Sequence, residues 1–95
     1  EGSNWEGFMT MNHYNLSNCI VFIDRNHCMI DGPTEEVMKL EPLADKMVAF
    51  GFNTVTVDGN NIAAATAVPV KTLNAFVPKI CIFSPPRFIF QNSQN

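Results

Sequence analysis

A polar loop whose residues could do chemistry follows a short apolar run in the first third of the chain. The apolar run is Cys19–Ile23, and the loop begins at Asp24 and carries Asn26, His27 and Cys28 in succession. Open parallel sheets bind ligands beyond the carboxyl ends of their strands, so a site is expected in this loop. His27 beside Cys28 does not predict a Cys–His nucleophile, because adjacent side chains on an extended loop point apart.

The other polar residues of the loop admit a structural and a chemical interpretation. Asn26 taken alone is most simply a turn-forming residue at the end of a strand. Asp31 and Glu35–Glu36 have the chemistry of acid/base groups, but the simpler interpretation is that Asp31 stabilises a turn and the glutamates are solvated. A zinc site built on the two histidines and Cys28 lacks the paired short spacings of structural zinc sites. Residue spacing alone therefore identifies no reaction.

A βαβ unit is predicted around this loop. Residues 4–16 have the apolar stripe of a helix, and Cys19–Ile23 is a continuous β-prone run typical of a parallel strand covered on both faces. Pro42 suits the first turn of a second helix, which Gly51 can end in the left-handed conformation. Thr54–Val57 has the composition of the next strand, so the crossover between the two strands should be right-handed.

The pattern weakens beyond Asn61. Ala63–Ala67 could open a helix that Pro69 stops or kinks. Ile80–Phe83 has the composition of a third strand, and Gln91–Asn95 is a polar tail. We find no internal repeat and no linker between two domains, so the 95 residues predict a single domain.

Composition excludes several classes of function. The net charge of −3 and the pI near 5.1 give no electrostatic case for binding nucleic acid or an anionic membrane, and no apolar run has the roughly 18–20 residues of a spanning helix. Charged residues are 16% of the chain, against about 25% in typical domains, which indicates that much of the surface faces other protein. Three cysteines without disulfide-framework spacing favour a reducing, cytoplasmic environment.

The loop from Asp24 to Glu36 carries the most specific pattern, Asp-Arg-Asn-His-Cys-Met-Ile-Asp-Gly-Pro-Thr-Glu-Glu. Before it stand Trp5-Glu6 and His13-Tyr14, and after it come Leu40 to Lys46 and Val57-Asp58-Gly59. In this order and at this spacing, the motifs resemble the thiamine-diphosphate loop of transketolases, in their N-terminal cofactor-binding region. The resemblance covers residues 1–61. It departs from the family near Met11 and Asn12, where small residues are expected in a closely packed helix.

The resemblance implies a fold and a domain arrangement. The fold is α/β, a partial three-layer α/β/α thiamine-diphosphate-binding fold with a βαβ parallel-sheet core. Residues 1–95 would form a single partial thiamine-diphosphate-binding domain, transketolase-like over 1–61 and with a divergent tail over 62–95.

The resemblance also implies a cofactor site. Asn26 would bind Mg²⁺ (or Ca²⁺) through its side-chain oxygen, Cys28 would bind the same ion through its backbone carbonyl, and Ile30 would pack against the rings of thiamine diphosphate. Such hard oxygen ligands suit Mg²⁺, which keeps phosphate oxygens and water in its octahedron. No catalytic residue is implied. The family's Gly-Asp-Gly, whose Asp is a principal metal ligand, is expected about five residues before Glu1, and the glutamate that activates the cofactor comes from the other protomer.

The first hypothesis is a fragment of a transketolase. The parent enzyme would transfer a two-carbon ketol unit from a ketose phosphate to an aldose phosphate, as a homodimer or with a complementary subunit. The alternative is a non-catalytic remnant or small interaction module that retains the βαβ scaffold. Deoxyxylulose-phosphate synthases and 2-oxo-acid dehydrogenases fit the run from Ile30 to Glu36 poorly. We expect the isolated chain to be inactive, to bind the cofactor weakly, and to be poorly soluble because its strands would have unpaired edges.

Overall fold

Three parallel strands form the sheet at the centre of the structure. The structure is a computed structural model that describes residues 1–64 and 78–84. The elements in chain order are α1 (Gly2–His13), β1 (Ile20–Asp24), β2 (Cys28–Met29), β3 (Gly32–Pro33), α2 (Thr34–Val37), α3 (Leu43–Ala49), β4 (Asn53–Asp58) and β5 (Lys79–Ser84). The sheet order is β1-β5-β4, and β2 and β3 form a separate antiparallel hairpin. The predicted α/β class with a parallel-sheet core is confirmed.

The last strand of the described chain lies in the middle of the sheet. β5 pairs with β1 on one side and with β4 on the other, so the crossover from β1 through α3 to β4 passes over one strand position. The predicted third strand at Ile80–Phe83 is therefore confirmed as the central strand. The first helix was expected over residues 4–16 and is found at Gly2–His13, so it begins two residues earlier and ends three residues earlier. The predicted helical turns at Ala63–Ala67 lie largely outside the described residues.

The core lies between the sheet and the two longer helices, α1 and α3. Its buried members are Leu43, Met47, Phe52, Ile80 and Ile82. α1 adds Trp5 and Phe8 to one side of this cluster. The Trp5 ring stacks on Phe50, with ring centroids 5.8 Å apart, and Phe8 meets Phe52 edge-on at 5.6 Å. The apolar stripe predicted for α1 is thus the face that closes the core.

Strand β1 differs from its predicted environment. Val21 and Ile23 are half-buried against the core, but Ile20 is 43% exposed and Phe22 is 59% exposed. Successive side chains of a strand point to opposite faces of the sheet, and α1 and α3 lie on the face that Val21 and Ile23 share. The prediction of a strand covered on both faces is therefore wrong for the part of the chain that the structure describes.

Helix α3 ends at a glycine in the left-handed region, as predicted. Gly51 has φ of +93°, its N–H donates to the Val48 carbonyl, and the N–H of Phe52 donates to the Met47 carbonyl. These two bonds are those of a Schellman motif, which is commonly accompanied by an apolar contact across the turn; here Met47 and Phe52 belong to one core cluster. The Asn12 side chain lies directly against Gly51. Position 12, where a small residue was expected, therefore packs against a residue without a side chain.

Candidate functional site

The carboxyl ends of the three parallel strands meet at one edge of the sheet, where the polar loop begins. Asp24 ends β1 beside the end of β5, and Asp58 of β4 is in register with Ser84 of β5. The His27 Nε2 atom lies 2.9 Å from Ser84 Oγ, which connects the loop to the central strand. A cavity of about 190 Å³ opens at this edge. The predicted position of the loop, beyond the carboxyl ends of the strands, is confirmed.

Asn26 forms a tight local turn with the residue two positions later. Its Oδ1 atom accepts a hydrogen bond of 2.9 Å from the Cys28 N–H, and its Nδ2 atom lies 3.4 Å from Asp24 Oδ2. His27 between them has φ of +64°, which turns the backbone back toward the Asn26 side chain. Asn26 and Cys28 are both exposed. Asn26 therefore forms the turn that its residue type predicts. This turn holds the amide oxygen of Asn26 beside the backbone of Cys28.

The register of the β2–β3 hairpin decides where the Cys28 carbonyl points. Cys28 is opposite Pro33, which has no N–H, and the next bond of the ladder runs from the Thr34 N–H to the His27 carbonyl at 3.0 Å. Cys28 and Pro33 are thus a non-hydrogen-bonded pair, whose N–H and C=O groups point away from the partner strand. Because the Cys28 N–H contacts Asn26 Oδ1 on that outer side, the Cys28 carbonyl faces the same side as the Asn26 amide.

Ile30 lies at the tip of the same hairpin. It occupies the two-residue connection between Met29 and Gly32, and its side chain is fully exposed. An isoleucine in that position contributes no burial to the described fold, since it leaves its apolar surface in water. The predicted contact between Ile30 and a cofactor ring stays a prediction.

Arg25 is the principal residue that the sequence interpretation missed. Its side chain is buried, with only 3% of the residue exposed. The guanidinium donates from Nε to Glu41 Oε1 at 2.8 Å, from Nη1 to Thr34 Oγ1 at 2.8 Å and from Nη2 to Glu35 Oε1 at 2.7 Å. The expectation that Glu35 is simply solvated is wrong, because its carboxylate forms an ion pair with Arg25. Glu36 is exposed, as expected.

The two carboxylates that bind Arg25 also accept hydrogen bonds from the backbone ahead of α3. Glu35 Oε1 accepts from the Leu40 N–H at 3.0 Å, and Glu41 Oε2 accepts from the Leu43 N–H at 2.9 Å. The hydrogen bond from the Leu43 amide, together with Arg25, holds the pKa of Glu41 below its ordinary value of 4.5, although partial burial opposes this shift. Both carboxylates therefore join the loop to the start of α3.

The lowered pKa of Glu41 predicts an acid-sensitive contribution to stability. Because the folded pKa is lower than the unfolded one, the contribution is present above pH 4.5 and is lost as the pH falls through the folded value. Glu41→Gln should therefore be less stable than the wild type at pH 7 and should lose less stability between about pH 5 and 3. Urea unfolding at a series of pH values measures this difference. Parallel pH curves for the two proteins would contradict the prediction.

Charged clusters elsewhere do not provide a second site in the described chain. Across residues 1–64 and 78–84, no group of three or more His, Cys, Asp or Glu side chains could hold a metal ion. The described helices are also too short or too polar to cross a membrane. The predicted ligands, the Asn26 amide oxygen and the Cys28 carbonyl, stay a prediction.

Comparison with known proteins identifies the chain's relatives. No protein-family model matches the chain. It is 44% identical over 62 residues to one subunit of the apulose-4-phosphate transketolase of Phocaeicola vulgatus, a match that covers 65% of this chain and 22% of that protein. It is 44% identical over 61 residues to one subunit of the 6-deoxy-6-sulfo-D-fructose transketolase of a Clostridium strain, over 64% of this chain and 22% of the relative. The chain is transketolase-like.

Solved structures lead to the same family. A crystal structure of a transketolase mutant from Pichia stipitis, in complex with fructose 6-phosphate, superimposes with a TM-score of 0.78 at 28% identity. The match covers 88% of this chain and 13% of that transketolase. The chain thus spans about a quarter or less of the length of the transketolases it matches. The resemblance found in the loop and its flanks is confirmed.

Proposed function

We propose that this chain is part of a transketolase-type enzyme and contributes two oxygen ligands to the cation that anchors thiamine diphosphate. The observation that carries the proposal is the arrangement of the Asn26 amide and the Cys28 carbonyl on one side of the loop, beyond the carboxyl edge of the sheet. Both are neutral, hard oxygen donors, which suit Mg²⁺ (or Ca²⁺) beside a diphosphate. The similarity to transketolases at 44% identity supports the assignment.

Three residues of the loop have defined roles in this proposal. Asn26 binds the cation through Oδ1, which keeps a second lone pair beyond the one that the Cys28 N–H occupies. Cys28 binds through its carbonyl, so its thiol takes no part. Ile30 offers the exposed apolar surface of the hairpin tip to the cofactor's rings. Thiamine diphosphate, when bound, supplies the nucleophilic carbon for a two-carbon ketol transfer. The chain's own residues hold and orient it.

The proposed substrates and partners follow from the relatives. Two of them are named as subunits, one of an apulose-4-phosphate transketolase and one of a 6-deoxy-6-sulfo-D-fructose transketolase. We propose that the enzyme transfers a ketol unit between sugar phosphates and that a complementary subunit or a second copy completes the site. Residues 1–95 would then be a single partial thiamine-diphosphate-binding domain with a divergent tail at 62–95.

Sequencing the encoding DNA on both sides of this segment tests the enzyme assignment. An in-frame Gly-Asp-Gly about five codons before Glu1 is expected, because the family draws a principal metal ligand from that motif. A stop codon or an unrelated sequence there would contradict the proposal. The chain would then be a scaffold that keeps the βαβ unit without a working cofactor site.

Removing the Asn26 amide should weaken cation binding. In the full-length protein, Asn26→Ala is expected to raise the dissociation constant for Mg²⁺ with thiamine diphosphate by about 10- to 100-fold, since one of few protein ligands is lost. Isothermal titration calorimetry measures this change. The matched control is Asn18→Ala, which is exposed and precedes the amino end of β1, whereas the loop follows its carboxyl end; it should leave the constant unchanged. Equal affinities for Asn26→Ala and the wild type would overturn the ligand assignment.

A further inference from the structure

Arg25 binds three acceptors that come from separate points of the chain. They are the Thr34 hydroxyl at the start of α2, the Glu35 carboxylate in the same turn, and the Glu41 carboxylate just before α3. The separations in sequence are 9, 10 and 16 residues. A guanidinium presents its N–H donors in a rigid planar fork, so three such bonds determine where each partner lies.

The network of Arg25 closes the base of the hairpin that carries the proposed ligands. The Thr34 N–H donates to the His27 carbonyl at 3.0 Å, while the Thr34 hydroxyl accepts from Arg25. On the other side, Glu41 Oε2 accepts from the Leu43 N–H at the start of α3. One guanidinium therefore connects β1, the hairpin and α3.

Asn26 lies between two anchored residues. Arg25 before it is held by its three partners, and His27 after it contacts Ser84 at the end of the central strand. The Asn26 side chain itself is exposed and has only local contacts, to Asp24 and Cys28, in the described chain. Its position relative to the sheet is consequently set by its neighbours. Mg²⁺ demands near-ideal octahedral geometry. The residues that fix the position of Asn26 should therefore affect how tightly Mg²⁺ binds.

We propose that Arg25 is a positioning residue for the cation loop, defined here as residues 26–34. It holds Asn26 Oδ1 and the Cys28 carbonyl in place before the ion arrives, so that the ion meets a preformed pair of ligands. The identity of the ligand rests on the proposed function above. The positioning itself rests on the contacts of Arg25, and the two can be tested separately.

Hydrogen exchange in the full-length protein, measured without Mg²⁺ or cofactor, tests the positioning. Arg25→Lys keeps the charge, but the three donors of an ammonium group radiate from one nitrogen and do not reproduce the planar spread of Nε, Nη1 and Nη2. The reporter amides are Cys28, bonded to Asn26 Oδ1, and Thr34, bonded to the His27 carbonyl. We expect Arg25→Lys to accelerate their exchange by about tenfold or more, and by a larger factor than the exchange of protected β5 amides, which respond only to the loss of global stability. Equal acceleration of loop and sheet, or an unchanged loop, would overturn the proposal.

A milder variant and a control keep the test decisive if Arg25→Lys folds poorly. Thr34→Val removes a single acceptor of Arg25 and should accelerate exchange at Cys28 about threefold, in line with the loss of one modest hydrogen bond. Glu36→Gln alters an exposed carboxylate of α2 that does not contact Arg25, and it should leave loop exchange unchanged. Loop exchange that responds to Glu36→Gln as strongly as to Thr34→Val would contradict a specific role for Arg25.

Cation binding in the full-length protein is the second measurement. Arg25→Lys should raise the dissociation constant for Mg²⁺ with thiamine diphosphate about tenfold, the loss typical when a residue that orients metal ligands is replaced. Faster loop exchange without weaker binding would overturn the positioning role. If the wild type binds no Mg²⁺ with thiamine diphosphate, the proposed function fails, and the exchange measurement still decides whether Arg25 orders the loop.

Discussion

Ile80→Ala is expected to lower the free energy of unfolding by about 2–5 kcal/mol, the range for truncating a large buried aliphatic residue. Ile80 has no exposed surface, lies on the central strand and belongs to the cluster that includes Met47 and Phe52. Truncation would remove apolar burial and leave a cavity between sheet and helices. Net stabilities of single domains are only about 5–15 kcal/mol, so the loss would be a large share of the total. Urea or thermal unfolding measures it.

A graded series makes this prediction specific to the core. Ile80→Val should cost about 0.5–1.5 kcal/mol, because it removes a single methylene group. Ile20→Ala is the matched control, since Ile20 is 43% exposed on the outer strand β1, and it should cost less than about 1 kcal/mol. If Ile20→Ala were as destabilising as Ile80→Ala, the assignment of β5 to the centre of the sheet would be wrong.

Gly51→Ala should destabilise the chain by about 1–3 kcal/mol for two reasons, conformation and space. The residue has φ of +93°, a region that alanine disfavours. A Cβ atom at position 51 would also lie only 2.7 Å from Asn12 Cγ, so the Asn12 side chain would have to move. The turn that ends α3 positions Phe52 in the core, and its distortion would reach that cluster. Unfolding in urea measures the change.

The double variant separates the two causes. Asn12→Ala removes the atoms that a Cβ at position 51 would meet, so Asn12→Ala combined with Gly51→Ala should retain only the conformational cost of about 1–2 kcal/mol. Asn12→Ala alone should change stability by less than about 0.5 kcal/mol, because Asn12 is exposed. Additive effects of the two substitutions would show that contact with Asn12 contributes nothing to the cost at Gly51.

The local elements were predictable from residue pattern. Helix α3 and its glycine end follow from Pro42 before its first turn and from Gly51 after its last. The strands follow from β-branched composition, and β4 at Asn53–Asp58 extends the predicted Thr54–Val57 by one residue at each end. Helix ends and strand composition depend on interactions between residues a few positions apart, so a short stretch of sequence is enough to predict them.

The burial of Arg25 was not predictable in the same way. Within its polar loop, between Asp24 and Asn26, it has the surroundings of a solvated residue. Its acceptors are 9 to 16 residues away and reach it only because the hairpin and α2 fold back over the end of β1. The only sequence signal was the presence of hydroxyl and carboxylate groups at positions 34, 35 and 41. Such groups are common in loops and point to no particular partner.

By itself, the sequence determined the α/β class, the approximate positions of the main elements, the left-handed turn at Gly51 and the resemblance to transketolases. Those properties depend on local spacing and on a contiguous motif. Only the tertiary structure decided that β5 lies between β1 and β4, that one face of β1 is exposed, and that Arg25 is buried among three acceptors beside Asn26. Each of these depends on contacts between distant parts of the chain, which the fold selects by burying apolar surface and pairing buried charge.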